Sequence, residues 1–352
     1  MAQNHRIALA PLVVPLFAFM AVAAAAGCDQ SEAAAPIDAG RAMRPDLSAT
    51  NEDAGPPEYL TWPDMNLGKA GPPYPIVLIH GMAGFKNIGP IDYFYGVPDA
   101  LRKDGHDVWV SQQDPINDSE VRGAQALAFV EQVMVSAGKA KVNLIAHSQG
   151  GYDARYVASA IGNHVASCTL IASPMLGDPI ADLALSGGPG AQAAIDALLN
   201  VYGAVAGYNS NAKSQIAQLS AAGAAAFFAK HPDSPSVAYY SIAGRSAMSL
   251  GASDCATESA PPWISRYDGV KDPLDLVFQL TGAMLDNVKP RPIHDGVVTV
   301  ASARHGTFLG CVPADHMDEV NQLVGDSPGF GNSFDALRFY RDLADWLVTR
   351  GY

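Results

Sequence analysis

The decisive stretch of sequence is Lys141-Val-Asn-Leu-Ile-Ala-His-Ser-Gln-Gly-Gly151. Its first half is an apolar run, typical of a strand that is buried on both faces. A segment with helical spacing begins at Gly150, so the serine lies at a strand-to-helix turn. This is the setting of the nucleophile elbow, G-x-S-x-G, in which small flanking residues allow a strained serine. Ala146 stands at the first glycine position, and the pattern predicts Ser148 as a nucleophile. The alternative is a serine that caps the helix.

Strands and helices alternate on both sides of this stretch. The predicted strands are residues 74–80, 107–111, 142–146, 165–172, 236–243 and 296–300. The predicted helices are residues 97–103, 119–136, 150–161, 191–205, 214–229 and 333–349. Such alternation predicts an α/β fold, with a mostly parallel sheet flanked by helices on both faces.

The middle of the chain interrupts the alternation. Residues 191–205 and 214–229 are Ala-rich helical segments without a strand between them. We interpret residues 179–230 as a helical lid over the site. The alternative is a pair of plain packing helices.

Composition and charge limit the classes of function. The chain has 352 residues, of which 49% are hydrophobic and 16% are charged, enough for a sizeable core. The formal net charge is −13, and no basic cluster offsets it. Because an acidic surface repels phosphate backbones, nucleic acid is excluded as an expected partner.

The N-terminus predicts export. A polar start is followed by an almost wholly apolar stretch, residues 7–26, which ends in Ala25-Ala-Gly-Cys28. This ending resembles the bacterial lipobox, in which the cysteine is lipidated. We therefore expect a signal peptide over residues 1–27, with Cys28 as a lipid anchor, and the alternative is an ordinary secretory peptide.

The residues after Cys28 lack any sustained apolar period. Residues 28–57 are rich in Ala, Pro, Asp and Glu, which predicts a flexible tether. The catalytic domain is then expected over residues 58–352. The expected location is the bacterial cell envelope, as a membrane-anchored lipoprotein, or outside the cell as a secreted protein.

A serine hydroxyl is a poor nucleophile without a base. In this type of fold the order along the chain is serine, acid, histidine. His316 follows the acid candidate Asp295, whereas His294 precedes it and breaks the order. His305 fits the order but lies in a sequence typical of a solvated turn. We predict Asp295, placed just before the strand 296–300, as the acid and His316 as the base; the alternative for Asp295 is a turn-forming Asp-Gly pair.

Acyl transfer also needs two backbone N–H donors aimed at the developing oxyanion. One comes from the residue after the nucleophile, which is Gln149 here. The other comes from a loop after an early strand, and Met82 in His80-Gly-Met82 is placed for it. The alternative is that His80-Gly81 is only a tight turn.

Four cysteines bear on the expected compartment. Cys255 and Cys311 lie in Gly-containing stretches that are expected to be loops, and in an oxidising compartment they are the natural disulfide pair. Cys168 lies in an apolar strand-like run and is expected as a buried free thiol. Three pairings remain open among these cysteines.

Three long stretches resemble the true lipases of the Pseudomonas and Burkholderia type, which are α/β hydrolases. They are Tyr74-Pro-Ile-Val-Leu-Ile-His-Gly-Met82, the elbow stretch, and His316-Met-Asp-Glu-Val-Asn-Gln-Leu323. The resemblance implies an α/β-hydrolase fold with Ser148, Asp295 and His316 as the triad. It also implies a lipid ester as the substrate.

The resemblance further implies a structural Ca²⁺ that steadies the loop carrying the catalytic histidine. Asp272 and Asp318 match the two side-chain ligands, and the backbone carbonyls of Gln322 and Asp326 match the other two. Hard cations prefer such oxygen ligands. Without the resemblance, these acids would read as solvated loop residues.

Two rival functions remain at this stage. A short-chain or polyester esterase would use the same triad, and a surface lipoprotein would use the fold only for binding. The lid region matches the lipases loosely, so it does not decide the acyl chain length. The sequence also leaves open whether a dedicated folding chaperone is needed.

Overall fold

The apolar runs form one sheet in the computed structural model. It describes residues 71–84, 86–88, 91–201, 210–248, 251–252, 255, 257, 259–322, 325 and 332–352. The predicted signal peptide, Cys28, the tether and Asp326 lie outside the described residues. Within the described ranges, no helix is both long and apolar enough to cross a membrane.

The strands are β1 (Ile76–Ile79), β2 (Asn87–Ile88), β3 (Ile91–Asp92), β4 (Val108–Val110), β5 (Val142–His147), β6 (Val165–Ile171), β7 (Ala238–Gly244) and β8 (Thr307–Val312). Six of them form one sheet in the order β4-β1-β5-β6-β7-β8, and every neighbouring pair is parallel. A small antiparallel pair, β2 and β3, lies outside this sheet. Strands β1, β5 and β6 are buried along their whole length, as expected for a sheet covered on both faces.

Helices flank the sheet, which confirms the predicted fold class. They are α1 (Val97–Lys103), α2 (Ser119–Ala137), α3 (Gly150–Ile161), α4 (Pro179–Leu185), α5 (Ala191–Val201), α6 (Ser210–Leu219), α7 (Ala221–Lys230), α8 (Pro262–Ser265), α9 (Gln279–Asp286), α10 (Val300–Ala303) and α11 (Ala336–Thr349). Helix α2 begins after Asp118, whose side chain accepts two backbone N–H groups, and ends at Gly138 in the left-handed region.

The predicted strand 296–300 is wrong. Asp295 Oδ1 accepts the N–H groups of Val297 and Val298, at 2.8 and 2.6 Å, which removes them from any sheet ladder. Val300 then begins the short helix α10, and the strand in this region is β8, which begins at Thr307. Asp295 therefore lies in a tight loop and not at the end of a strand.

The predicted helix 214–229 is wrong as a single element. It is divided at Ser220, whose Oγ accepts the N–H of Gly223 at 3.1 Å and so starts a new helix. The prediction of a helix over 191–205 is confirmed as far as Val201, and residues 202–209 lie outside the described ranges.

Parallel strands bring their carboxyl ends to one edge of the sheet, where ligands bind in open α/β sheets. His80 follows β1, Ser148 follows β5, and the loop with His316 follows β8. The sheet thus gathers at one edge the residues that lie far apart in the sequence.

Candidate active site

Ser148 occupies a strained turn between β5 and α3. Its φ is 58°, in the left-handed region that non-glycine residues rarely adopt. The turn is crowded, because a Cβ on Gly150 would lie 2.5 Å from the carbonyl oxygen of Ile79. This is the geometry of a nucleophile elbow, and Ala146 fits, fully buried, at the first glycine position.

The structure brings the three predicted triad residues together. His316 Nε2 lies 2.9 Å from Ser148 Oγ, and His316 Nδ1 lies 2.7 Å from Asp295 Oδ2. The acceptor at Nδ1 fixes a proton there and leaves Nε2 free to accept the serine proton. All three side chains are buried, Ser148 with 3% of its surface exposed. The arrangement has the form of a serine nucleophile with a base and an orienting acid.

The two alternative histidines lie elsewhere. His294 Nε2 lies 3.2 Å from Asp286 Oδ1, and its Nδ1 accepts the N–H of Gly296. His305 Nε2 lies 2.8 Å from Asp233 Oδ2. Both histidines have carboxylate partners outside the triad.

Two buried backbone N–H groups next to the nucleophile lack an acceptor. They belong to Met82 and Gln149, and neither donates to any residue that the structure describes. By contrast, the N–H of Ala83 donates to Pro115 O at 2.7 Å. Since buried N–H groups are nearly always paired, two free ones beside Ser148 form a ready site for an oxyanion.

A second hydrogen-bonded network lies against the triad. His147 Nε2 is 2.9 Å from Glu319 Oε2, and His147 Nδ1 is 2.8 Å from the Tyr93 hydroxyl. Glu319 Oε2 also approaches His316 Nδ1, at 3.8 Å. Burial, and then the His316 charge, hold the pKa of His147 well below its usual value. Burial, and then Asp295, raise the pKa of Glu319 well above its usual value.

Sequence reasoning missed this network. Its only signal is the position of Glu319, three residues after His316. That spacing places both on one side of a helical turn. The turn itself, a 3₁₀ helix at Asp318–Val320, is too short to predict from the pattern.

Three carboxylates form an acidic group in and beside the histidine loop. The oxygens of Asp275, Asp315 and Asp318 lie within 4.8 Å of one another, and Asp315 and Asp318 are buried. Burial, and then Asp318, raise the pKa of Asp315 well above its usual value. Of the four predicted calcium ligands, Asp318 belongs to this group.

Asp272, a predicted ligand, stands outside the group of three carboxylates. Its Oδ1 accepts a hydrogen bond from Asn332 at 2.8 Å, whereas its buried Oδ2 has no partner among the described residues. The side-chain amide of Gln322 donates to the backbone of Asp92 and Tyr93. The role of the Gln322 carbonyl stays a prediction. Asp275 and Asp315 are the acids that sequence reasoning missed.

Cys255 and Cys311 form a disulfide, with their Cα atoms 5.7 Å apart. Cys311 lies in β8 and not in a loop, five residues before His316. The bridge therefore ties the start of the histidine loop to the segment after β7. Cys168 is a buried free thiol in β6.

Helix α6 of the middle segment reaches the elbow through polar side chains. Gln215 Nε2 donates to Gln149 Oε1 at 2.6 Å. Gln218 Oε1 accepts the N–H of Ser119, also at 2.6 Å, at the start of α2. Ser214 Oγ donates to Asp118 Oδ2. The first contact links α6 to the residue that follows the nucleophile, and the other two link it to the start of α2.

Comparisons with known proteins agree with this geometry. A family model described as the alpha/beta hydrolase fold matches residues 74–200. A triacylglycerol lipase of Vibrio cholerae is 33% identical over 293 residues, which cover 79% of this chain and 88% of that protein. A triacylglycerol lipase of Burkholderia plantarii is 31% identical over 294 residues, covering 72% of this chain and 80% of that protein.

A solved structure supports the fold alone. The mature lipase BlEst2 of Bacillus licheniformis gives a TM-score of 0.55 at 20% identity, covering 78% of this chain and 92% of that chain. An elbow serine at the carboxyl edge of a parallel sheet makes this protein an α/β hydrolase. Within that class, the chain belongs to the bacterial triacylglycerol lipase family. It is an enzyme of the lipase and esterase type, and the resemblance noted in the sequence is confirmed.

Proposed function

We propose that this enzyme hydrolyses lipid esters of the triacylglycerol class through an acyl-enzyme on Ser148. The observation that carries the proposal is the chain of short contacts from Asp295 through His316 to the strained serine. The names of the relatives support the substrate class, since several are triacylglycerol lipases.

The geometry supports a two-step mechanism. His316 Nε2 takes the proton of Ser148 as the hydroxyl attacks the ester carbonyl, and Asp295 stabilises the imidazolium. The free N–H groups of Met82 and Gln149 hold the oxyanion. His316 then protonates the leaving alcohol. Water releases the acyl group in a second round of the same steps.

Substrate must reach a serine that is 3% exposed. The proposal therefore includes movement of residues 179–230 as a lid. Its helix α6 contacts Gln149 directly through Gln215, so displacement of this helix opens a route beside the nucleophile. Closing an active site of this kind excludes water from the reaction.

Ser148→Ala tests the nucleophile. We expect hydrolysis of p-nitrophenyl esters to fall by about 10⁴- to 10⁶-fold with an unchanged melting temperature. A fluorophosphonate probe should label the wild type and not the variant. Substantial residual hydrolysis by a folded variant contradicts the proposal, and absence of labelling in the wild type favours a binding protein.

A chain-length profile tests the substrate class. Rates on emulsified long-chain triglyceride are compared with rates on soluble butyrate esters. A clear preference for the emulsion supports a lipase. A preference for the soluble ester instead supports the short-chain esterase.

The acidic residues in and beside the histidine loop fit a structural Ca²⁺. Asp275, Asp315 and Asp318 supply oxygen ligands, and a cation would balance the charge of Asp315 and Asp318, which are buried close together. Asp272 Oδ2 is buried and has no partner among the described residues, and the charge of Asp272 contributes to the raised pKa of Asp315. The ion would supply charge that holds the loop of His316 in place and takes no part in the reaction.

Removal of calcium tests this site without an activity assay. We expect EDTA to lower the melting temperature and added Ca²⁺ to restore it, because an ion that binds only the folded state stabilises it by mass action. Asp318→Asn should abolish the shift. A wild type whose melting temperature is unaffected by EDTA contradicts the site.

The proposed location is the bacterial cell envelope, through a lipid on Cys28. Its support is the lipobox-like ending of the apolar N-terminal stretch. Labelled palmitate should be incorporated by the full-length chain and not by Cys28→Ala. Absence of label on the wild type indicates secretion instead.

A further inference from the structure

Arg122 lies fully buried beside the loop that carries Met82. Its guanidinium donates to the carbonyl oxygens of His80 and Gly81, at 2.7 and 3.1 Å. A further bond of 2.7 Å reaches the carbonyl oxygen of Asp114. Asp153, on α3, balances the charge with an oxygen 2.8 Å from the same guanidinium. One side chain thus connects two consecutive carbonyls of the loop to the helix that follows the nucleophile.

The bond to Gly81 O fixes the direction of the Met82 N–H. The two groups belong to one peptide unit, and in a planar trans peptide the C=O and N–H point in opposite directions. Holding the oxygen on the Arg122 side therefore aims the N–H to the other side. That N–H has no acceptor among the described residues.

His80 holds the same oxygen from a second direction. The N–H of Gln113 donates to His80 Nε2 at 3.1 Å, so the ring proton sits on Nδ1, which lies 3.0 Å from Gly81 O. Burial, and then Arg122, lower the pKa of His80 to about 3, which keeps the ring neutral. Donors to a carbonyl polarise its peptide, which strengthens the N–H on the opposite side as a donor.

We infer that Arg122 is a positioning residue for the oxyanion hole: it orients and polarises the Gly81–Met82 peptide so that the Met82 N–H points at the developing oxyanion. The inference rests on the proposed function of Ser148 and Met82. Arg122 itself touches no reacting atom. Its effect should therefore appear in the transition state and not in ground-state binding.

Arg122→Lys is the first test, since lysine keeps the charge beside Asp153 but lacks the fork that reaches several oxygens. With p-nitrophenyl butyrate we expect kcat to fall about 10- to 100-fold while KM changes less than about twofold. The affinity for an alkyl boronate, whose tetrahedral adduct places an oxygen in the same hole, should fall by a similar factor. A role in stability alone would lower the melting temperature and leave both kcat and boronate affinity unchanged below it.

Two further variants keep the test decisive. The double variant Arg122→Met with Asp153→Asn removes the buried pair together and avoids an unpaired buried charge; it should show the same loss of kcat. Arg155→Met is the matched control, because Arg155 is likewise a nearly buried arginine. It lies on α3, is paired with Asp233 and packs on Phe228. Its kcat should stay within about twofold of the wild type.

The outcomes separate this inference from the proposed function. A folded Arg122→Lys or double variant with wild-type kcat and boronate affinity overturns the positioning role and leaves the triad untouched. A wild type that hydrolyses no ester and takes no fluorophosphonate label overturns the proposed function itself.

Discussion

At the carboxyl edge of the sheet one turn combines backbone strain with close approach to a neighbouring strand, whereas the helical segment from Pro179 to Lys230 consists largely of small residues. A Cβ on Gly150 would meet the backbone of β1, and Ser148 adopts a strained φ. In the helical segment, α7 reads Ala221-Ala-Gly-Ala-Ala-Ala-Phe-Phe-Ala-Lys230, mostly small residues without a local motif, although a Cβ on Gly223 would meet the carbonyl oxygen of Ala217. The constraint on the sheet edge is therefore visible in one short stretch of sequence, whereas the helical segment shows no comparable local motif.

The difference shows where functional information lies in such a fold. At the sheet edge it lies in residues that are contiguous in the sequence, because one turn must satisfy strain, close approach and reactivity together. In the helical segment it lies in a few polar side chains, such as Gln215 and Gln218, whose partners are about 66 and 99 residues away along the chain. Local pattern recognises the first kind and not the second.

Gly150→Ala should give the largest effect. The new Cβ would lie 2.5 Å from the carbonyl oxygen of Ile79, and that oxygen belongs to the backbone and cannot rotate away. We expect kcat on p-nitrophenyl butyrate to fall at least about 100-fold, since displacement of the elbow by a fraction of an ångström misaligns Ser148. The free energy of unfolding should fall by about 1–3 kcal/mol.

Gly188→Ala in the helical segment is the matched control. A Cβ there would meet only Ser186 Oγ, at 3.5 Å, which is ordinary van der Waals contact. Its kcat and stability should stay close to those of the wild type. Equal losses in both variants would remove the contrast between the two regions.

The residues at the sheet edge can be predicted from the sequence because they lie in contiguous stretches. The elbow of Ser148, the loop of Met82 and the segment of His316 each follow or precede a recognisable run. The position of Asp295 is recognised from its place in the order of residues, but its surroundings are not. Its side chain accepts two nearby N–H groups and prevents the strand expected after it. A side chain that competes with the backbone in this way leaves no periodic signal.

Other parts of the site cannot be read from pattern because they depend on tertiary contacts. Arg122 looks like any arginine on an amphipathic helix until the fold places it against the loop of His80 and Gly81. Glu319 and Asp315 look like solvated acids until the loop buries them. Ser220 divides a helix that propensity alone would continue, because a serine can equally cap a new one.

Asp178 lies where the helical segment begins, beside the sheet edge. Asp178→Asn should give the second-largest effect. It is buried at the start of α4, where its carboxylate accepts the N–H of Ile180 at 2.8 Å. Burial raises its pKa to about 7, and the neighbouring charges of Asp295 and Asp182 add to the increase. Tyr152 is a further titratable neighbour. Asparagine keeps the cap without the charge.

The sign of the effect follows from proton binding. In the unfolded chain this carboxyl ionises near pH 4, so between about pH 4 and 7 the folded state holds one more proton. The contribution of Asp178 to the free energy of unfolding therefore falls as pH rises through this range and stays low above it. Relative to wild type, Asp178→Asn should gain about 2–4 kcal/mol at pH 8 and little at pH 4.

Denaturant unfolding at pH 4, 6 and 8 measures this slope. Asp182→Asn is the control, because Asp182 is exposed on the same helix and its removal also deletes one negative charge. It should reduce the slope only slightly, because burial is the main cause of the raised pKa of Asp178 and the charge of Asp182 is a smaller one. A wild-type slope that persists in Asp178→Asn would show that another group at this junction takes up the proton.

Gln215→Ala should give the smallest effect. It should weaken only the contact between the helical segment and the elbow. It removes the bond from α6 to Gln149 Oε1. Loss of one such bond should destabilise the closed arrangement by about 1 kcal/mol, which raises the open fraction about fivefold where the closed form dominates. Rates on soluble butyrate ester should rise by up to that factor. Rates on emulsified triglyceride should change less if residues 179–230 act as the proposed lid, because a lipid surface would then already favour the open form.

Gln192→Ala separates this effect from general loosening of the helices. Gln192 is exposed on α5 and bonds only within its own helix, to Asp196 Oδ1 at 2.8 Å, among the contacts of the described residues. It shares the residue type and the region with Gln215 but has no contact with the elbow. If both variants raise the rate on soluble ester equally, the bond between Gln215 and Gln149 is not what holds the segment closed. If only Gln215→Ala raises the rate on soluble ester, the polar contact of α6 holds the segment closed, and the alanine-rich packing around it does not.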